Sequence, residues 1–352
     1  MNGTIALLLA QDGLTNGIIY AMVAIAILLV YLVTRVLLVP QGEFVTLGAL
    51  TLVQLQKGHP PSAFWLVVAV ASATVVVAMA RAWWGADWRR LPGVLAFCSG
   101  AIALGAGGLA VSTFFYQGAS PPFAVCALVA VALVAPLGPM LYWTAFEGIS
   151  RSSVLTLLFA AVALHYVLQG VMLPVFGAEG FQAEAAIRGR IDIGVMRVSV
   201  QLILVAAVFV VTLTALWLFF KYAIMGKILR ATAVNSRGAR LVGIRPETSG
   251  ALAFGFASLI GAVSGFLIAP LTTLYYDSGF LLALKGFVGG VIGGLASFPL
   301  AAGGSLLVGV LEALFSFQLS ALKESLVFTV LIPILLFNSF GRLSDRDAED
   351  EA

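Results

Sequence analysis

The chain has 352 residues, 61% hydrophobic and only 10% charged, with a formal net charge of +3 and a mean hydropathy of +1.07. A soluble domain is about a quarter charged, and no soluble core hides this much apolar surface, so the composition excludes a soluble enzyme or binding module and indicates an integral membrane protein in contact with a lipid bilayer. The basic residues lie in short loops between apolar runs, which is the pattern of membrane orientation and not a nucleic-acid footprint.

Apolar runs fall at 14–36, 44–55, 62–80, 92–115, 123–143, 153–176, 198–220, 249–269, 280–296, 300–317 and 326–340. Continuous runs, many of them about twenty residues long, make helices; a transmembrane barrel needs alternating strands of about ten. The predicted fold is therefore all-α, a polytopic bundle of 10–11 spans within one transmembrane domain at 1–343. The N-terminus has no basic stretch before its first apolar run, so no cleaved signal peptide is expected. The second run, at 44–55, follows Pro40-Gln41-Gly42 and is too short to cross a hydrocarbon core of about 30 Å. It is predicted to be a broken or re-entrant element, which is tolerated only where protein or a water-filled cavity covers it. Trp83, Trp84 and Trp88 beside Arg81, Arg89 and Arg90 read as an interfacial anchor. Cys98 and Cys126 lie in predicted spans as small buried residues; neither a disulfide framework nor a metal spacing is present, and no cofactor is implied.

His165, in the sixth run, reads as a hydrogen-bonded packing residue. The loop at 177–197 alternates apolar and charged residues near its end and predicts a short hairpin. The loop at 221–246 contains Asn235, a good N-cap; Leu241 and Val242 end one or two helical turns, Gly243 suits the C′ position, and Pro246 prevents continuation. Arg237 and Arg240 share a face of that short helix. Further on, eight glycines lie between Gly286 and Gly309. Gly286, Gly290 and Gly294 are spaced by four, as are Gly289 and Gly293, which clears helix faces for close packing in lipid. Lys285, just ahead of this run, is expected to snorkel to an interface. Glu43 and Glu312 lie within apolar sequence, where each either lines a path or pairs with a neighbouring helix. The tail at 344–352 is acidic and expected to be disordered.

Placing the loop at 221–245 in the cytoplasm, with every span crossing, puts thirteen of the nineteen Lys and Arg residues on that side. The N-terminus is then outside and the C-terminus inside.

Several segments, in order, resemble the permease subunit of branched-chain amino-acid ABC importers, the LivH type. They are Asn16-Gly-Ile-Ile-Tyr-Ala-Met-Val-Ala-Ile-Ala26, Gly42-Glu43, Met225-Gly-Lys-Ile-Leu-Arg-Ala231, Ala239-Arg-Leu-Val-Gly-Ile244, Phe254-Gly-Phe-Ala257 with Gly261 and Gly265, and the glycine-rich stretch from Lys285 to Glu312. The likeness covers residues 14–56 and 140–340. Leu38-Val39-Pro40-Gln41 departs from the Asn-Phe-Ala-His that precedes Gly-Glu in the family, and 82–138 reads as an insertion carrying two spans.

The resemblance implies a multi-pass subunit of a bacterial-type inner membrane that does no chemistry itself. Its loop at 221–246 would dock on an ATPase through Arg230, Asn235, Arg237, Ala239, Arg240, Leu241, Gly243 and Ile244. Gly42, Glu43, Gly286, Phe287, Gly289, Gly290, Gly293, Gly294 and Glu312 would line the translocation path or pack helices. Implied partners are two cytoplasmic ABC ATPase subunits, a second and different permease subunit, and a soluble substrate-binding protein. The chain lacks the Gly-rich phosphate loop ending Gly-Lys-Ser/Thr, so ATP hydrolysis would reside in separate subunits. The alternative is an ion-coupled secondary transporter of small polar solutes, against which the scarcity of intramembrane charges counts; a non-transport scaffold or channel is a third reading.

Overall fold

Each of the eleven apolar runs contains a helix in a computed structural model, which describes residues 3–84, 88, 91–116, 121–187, 189–193, 196–295, 297–318, 322–329 and 332–333. The acidic tail, most of the eleventh run, and Arg89, Arg90, Arg188, Arg342 and Arg346 lie outside the described residues. In chain order the elements are α1 (Gly3–Thr34), α2 (Gln41–Gln56), α3 (Ala63–Trp83), α4 (Leu91–Tyr116), α5 (Phe123–Val134), α6 (Leu137–Leu141), α7 (Val154–Phe176), β1 (Arg190–Ile193), β2 (Met196–Ser199), α8 (Val200–Tyr222), α9 (Ile224–Val234), α10 (Ser236–Leu241), α11 (Pro246–Ile268), α12 (Ser278–Ile292), α13 (Phe298–Gln318) and α14 (Lys323–Thr329). A π-helical turn, Tyr142–Phe146, and a 3₁₀ turn, Glu147–Ile149, continue α6.

Among the described residues, eight helices are long and apolar enough to cross a membrane, with α5, α6 and their continuation counted as one. The protein is a multi-pass helical bundle. The predicted break lies ahead of α2: residues 35–40 are irregular and Pro40 sits at the N-cap. From Gln41 the helix is continuous for 16 residues, or about 24 Å at 1.5 Å per residue, short of a full crossing.

The helices gather into two compact units. One is built from Leu29–Arg188 and Val210–Leu281, and its centre is the packing of α2 on α11. A side chain added at Gly48 would place its Cβ 2.8 Å from Ala262 Cα, and one at Gly261 would place it 2.6 Å from Phe44 Cβ. Small residues spaced by four on α11 (Ala257, Gly261, Gly265) thus let two backbones touch, the packing that substitutes for a hydrophobic driving force in lipid. The gap between α5 and α6 is set by proline. Pro139 has no N–H to give to Ala135, and Ser258 Oγ of α11 donates to that carbonyl instead, at 2.7 Å.

The other unit comprises Met1–Leu28, Gly189–Phe209 and Leu282–Ala352. The predicted hairpin is present: β1 and β2 pair antiparallel, with Ile191 opposite Val198. Here the glycine run packs α12 on α13 along the Gly289/Gly293 face that spacing suggested, while of the Gly286/Gly290/Gly294 face only Gly286 packs tightly, on α1. A Cβ at Gly289 would strike Ser305, one at Gly293 would strike Ala301, and one at Gly286 would lie 2.7 Å from Val23 Cγ1. Gly290 is looser, 3.3 Å from Leu295 Cδ2 and 4.0 Å from Ala24 Cβ. Gly294 packs on nothing; its φ of +76° ends the helix. Leu295 N–H donates to Gly290 O at 3.0 Å and Gly294 N–H to Val291 O at 2.9 Å, which is a Schellman turn.

Candidate functional site

The loop at 221–246 folds as two short helices. α10 begins where the Asn235 side chain accepts a hydrogen bond from Gly238 N–H at 2.9 Å, relieving one of the unpaired donors of the first turn. It ends in a second Schellman turn: Gly243 takes φ +85°, Ile244 N–H reaches Ala239 O at 3.0 Å and Gly243 N–H reaches Arg240 O at 3.1 Å. The boundaries are those the sequence indicated.

The eight candidate docking residues divide by role. Ala239 is buried and Ile244 half-buried, so they form the inner side of the turn. Arg230 donates to the Phe220 carbonyl at 3.1 Å and closes the end of α8. Arg240 holds Glu247, at the start of α11, at 3.1 Å. Arg237 is exposed, and Leu241 is 90% exposed and Val242 76% exposed. Val234, ahead of the cap, was not singled out in the sequence and is 82% exposed. A rigid turn thus presents apolar side chains and a cation together, away from the unit's core. Thr232 and Ser249, both buried and 3.0 Å apart, tie α9 to α11 beneath it.

A second constellation is buried in the same unit. Glu43 of α2 is fully buried, and a 2.8 Å hydrogen bond joins its Oε1 to His165 Nδ1 of α7. Phe280 stacks on the imidazole with centroids 4.8 Å apart. Gln41 Nε2 donates to Ala257 O at 3.0 Å. Gly42 meets Gly279 backbone to backbone, too close for any side chain. Along α2, Gln41 Oε1, Glu43 Oε2, Thr46 Oγ1 and Thr51 Oγ1 are buried without a hydrogen-bond partner. Buried polar atoms without partners are costly inside a protein and call for water or a polar solute. Glu43 and Thr46, three apart, share one side of α2, while Gln41 points to the other, onto α11.

The third lies in the other unit. Glu312 accepts from Lys285 Nζ at 2.6 Å and from the Tyr20 hydroxyl at 2.6 Å. Lys285 is only 7% exposed, which corrects the expectation that it snorkels: its partner is a carboxylate one helix away, and the pairing offsets the cost of burying the ammonium. Phe287 is half-buried beside it in sequence. Pairing with a neighbouring helix was one of the two readings for Glu43 and Glu312, but sequence reasoning did not name the partners, although the signal was present. Glu43, His165, Lys285 and Glu312 each lie in or beside an apolar run, and buried charges need partners.

The model of the family described as "Branched-chain amino acid transport system / permease component" matches residues 90–337. The chain is 28% identical over 228 residues to the high-affinity branched-chain amino acid transport system permease protein LivH of Salmonella typhimurium, covering 62% of this chain and 74% of that one. The LivH protein of Escherichia coli matches to the same extent. The corresponding permease protein BraD of Pseudomonas aeruginosa is 32% identical over 157 residues, covering 43% of this chain and 50% of the relative. No solved structure matches.

Proposed function

This chain belongs to the branched-chain amino acid transport system permease family, and on that premise we propose that it is the membrane permease of an ATP-driven (ABC) importer for branched-chain or related amino acids. The relatives' names supply the substrate class. The observation that carries the coupling is α10: a helix fixed at both ends that presents Arg237, Leu241 and Val242 outward. Apolar side chains left exposed beside a cation on a rigid turn suit the groove of a protein partner. In this reading the loop is cytoplasmic and seats on one of two separate ATPase subunits. Closure of those subunits on ATP moves α10, and with it α9 and α11, between inward- and outward-facing arrangements. A second, different permease and a soluble binding protein complete the assembly. The Glu43–His165 pair, with Thr46 three residues on along the same side of α2, lines the path for a zwitterionic solute.

The test is uptake of radiolabelled leucine by proteoliposomes that hold the permeases and ATPases, with binding protein and internal or external ATP. Arg237→Glu with Leu241→Asp should insert normally and lose uptake; uptake at the wild-type rate overturns the coupling role. One observation favours the alternative reading: the two buried ionisable pairs are the kind of group an ion-coupled carrier uses. Uptake that follows an imposed proton or sodium gradient without ATP would establish that alternative.

A further inference from the structure

We propose that an open cleft formed by the ends of α3, α4 and α11 and by the turns after α6 is a binding site for an anionic phospholipid, with arginines on its phosphate and an apolar wall along its acyl chains. The cleft has a volume of about 880 Å³ and lies wholly in the unit that holds α2 and α11. Arg81, Arg151 and Arg245 line it. Two carboxylates also line it, and each is already held: Glu147 by Arg81 at 2.7 Å and Glu247 by Arg240 at 3.1 Å. Arg151 and Arg245 are therefore surplus positive charge at the mouth, both exposed. The facing wall is apolar. Val94 and Phe97 of α4 stand across from Trp143, and Phe97 meets Trp143 edge to face with centroids 5.1 Å apart. Gly93, on the same stretch of α4, has open space within 4 Å of where a side chain would begin.

Position favours a lipid over a free anion. The cleft sits where α3 ends, α4 begins, the span Phe123–Ile149 ends and α11 begins, so four helix ends put it at a water–lipid boundary. Exposed Trp83 and Trp84 flank Arg81 in the chain, as interfacial aromatics do. A free phosphate needs only the arginines; the aromatic wall and the size of the cleft fit a headgroup with its first methylenes. Basic pockets between membrane helices recognise anionic headgroups in this way, through charge-assisted and bidentate guanidinium contacts. The inserted-looking segment at 82–138 supplies α4, and so the Val94 and Phe97 side of the wall. This site does not depend on the docking role of α10.

The experiment is native mass spectrometry of the purified full chain, exchanged into mixed micelles with phosphatidylglycerol or phosphatidylcholine. One phosphatidylglycerol should be retained preferentially. Arg151→Gln with Arg245→Gln should weaken retention about tenfold or more. Gly93→Phe, which fills the cleft and leaves every charge in place, should weaken it as well and guards against misfolding of the arginine variant. Equal retention of the two lipids, unchanged retention in the arginine variant, or displacement of the lipid by equimolar inorganic phosphate overturns the proposal.

Discussion

Two buried acid–base pairs differ in how completely they are satisfied. Glu312 has a partner on each oxygen, Lys285 and Tyr20. Removing one member of such a pair strands a buried charge and costs about 3–5 kcal/mol, while replacing both members by neutral residues is often tolerated. Lys285→Met should therefore lower the thermal midpoint in detergent sharply, and Lys285→Met with Glu312→Gln should recover most of it. A double variant no better than the single one would show that the pair is not a closed unit. Glu43 has His165 on one oxygen and nothing on the other, and the likewise unpartnered Thr46 hydroxyl lies three residues on, on the same side of α2. Retained unsatisfied groups cost stability, and functional sites are where proteins bear that cost. Glu43→Gln should cut leucine uptake several-fold with an unchanged or raised thermal midpoint, measured by differential scanning fluorimetry. A loss of stability with uptake intact would make Glu43 a packing residue. At this scale the sequence revealed which residues were anomalous but not their partners, because His165 and Glu43 are 122 positions apart and Tyr20 and Glu312 are 292 apart.

Element boundaries were more legible than element packing. Caps act locally, so Asn235, Gly243 and Pro246 fixed α10 from sequence alone, and the structure places both ends there. Gly243→Ala forces a left-handed φ on a residue with a Cβ, at about 1 kcal/mol or more. It should fray α10 and lower substrate-stimulated ATPase activity of the assembled transporter without changing the yield of inserted protein; full stimulation would contradict a coupling role for the turn. The glycine run was legible as a packing surface and its Gly289/Gly293 face by spacing, but not the fate of the other face. Its period of four suited Gly286, Gly290 and Gly294 equally, whereas contact depends on which neighbour lies opposite and on where the helix stops. Gly289→Leu collides with the Ser305 side chain and also with its backbone Cα, 2.5 Å away, which cannot move aside, and should abolish recovery of folded protein. Gly303→Leu meets open space and should be recovered at the wild-type level. Equal behaviour of the two variants would mean that α12 and α13 do not pack as described.

For the whole molecule, class and lineage followed from composition and motif order. Continuous apolar runs left no alternative to a helical bundle, and the segments matching the permease family recur in sequence. The short second run was correctly set apart, because Pro40 begins a helix that is too brief to cross. What remained hidden was tertiary: α2 is covered by α5, α7 and α11, so its polar residues face the interior and not lipid. By contrast, only 6% of the most apolar window of α8 is buried, and a helix apolar all round with so little covering it presents its surface to lipid. We propose that this chain moves its substrate by coupling to separate ATPase subunits. The most direct measurement is affinity purification of the tagged chain from native membranes, followed by ATPase assay with leucine and binding protein. Recovery of two ATPase subunits whose hydrolysis rises with leucine and binding protein is the predicted result; recovery of the chain without an ATPase, with uptake that tracks an ion gradient, would contradict it.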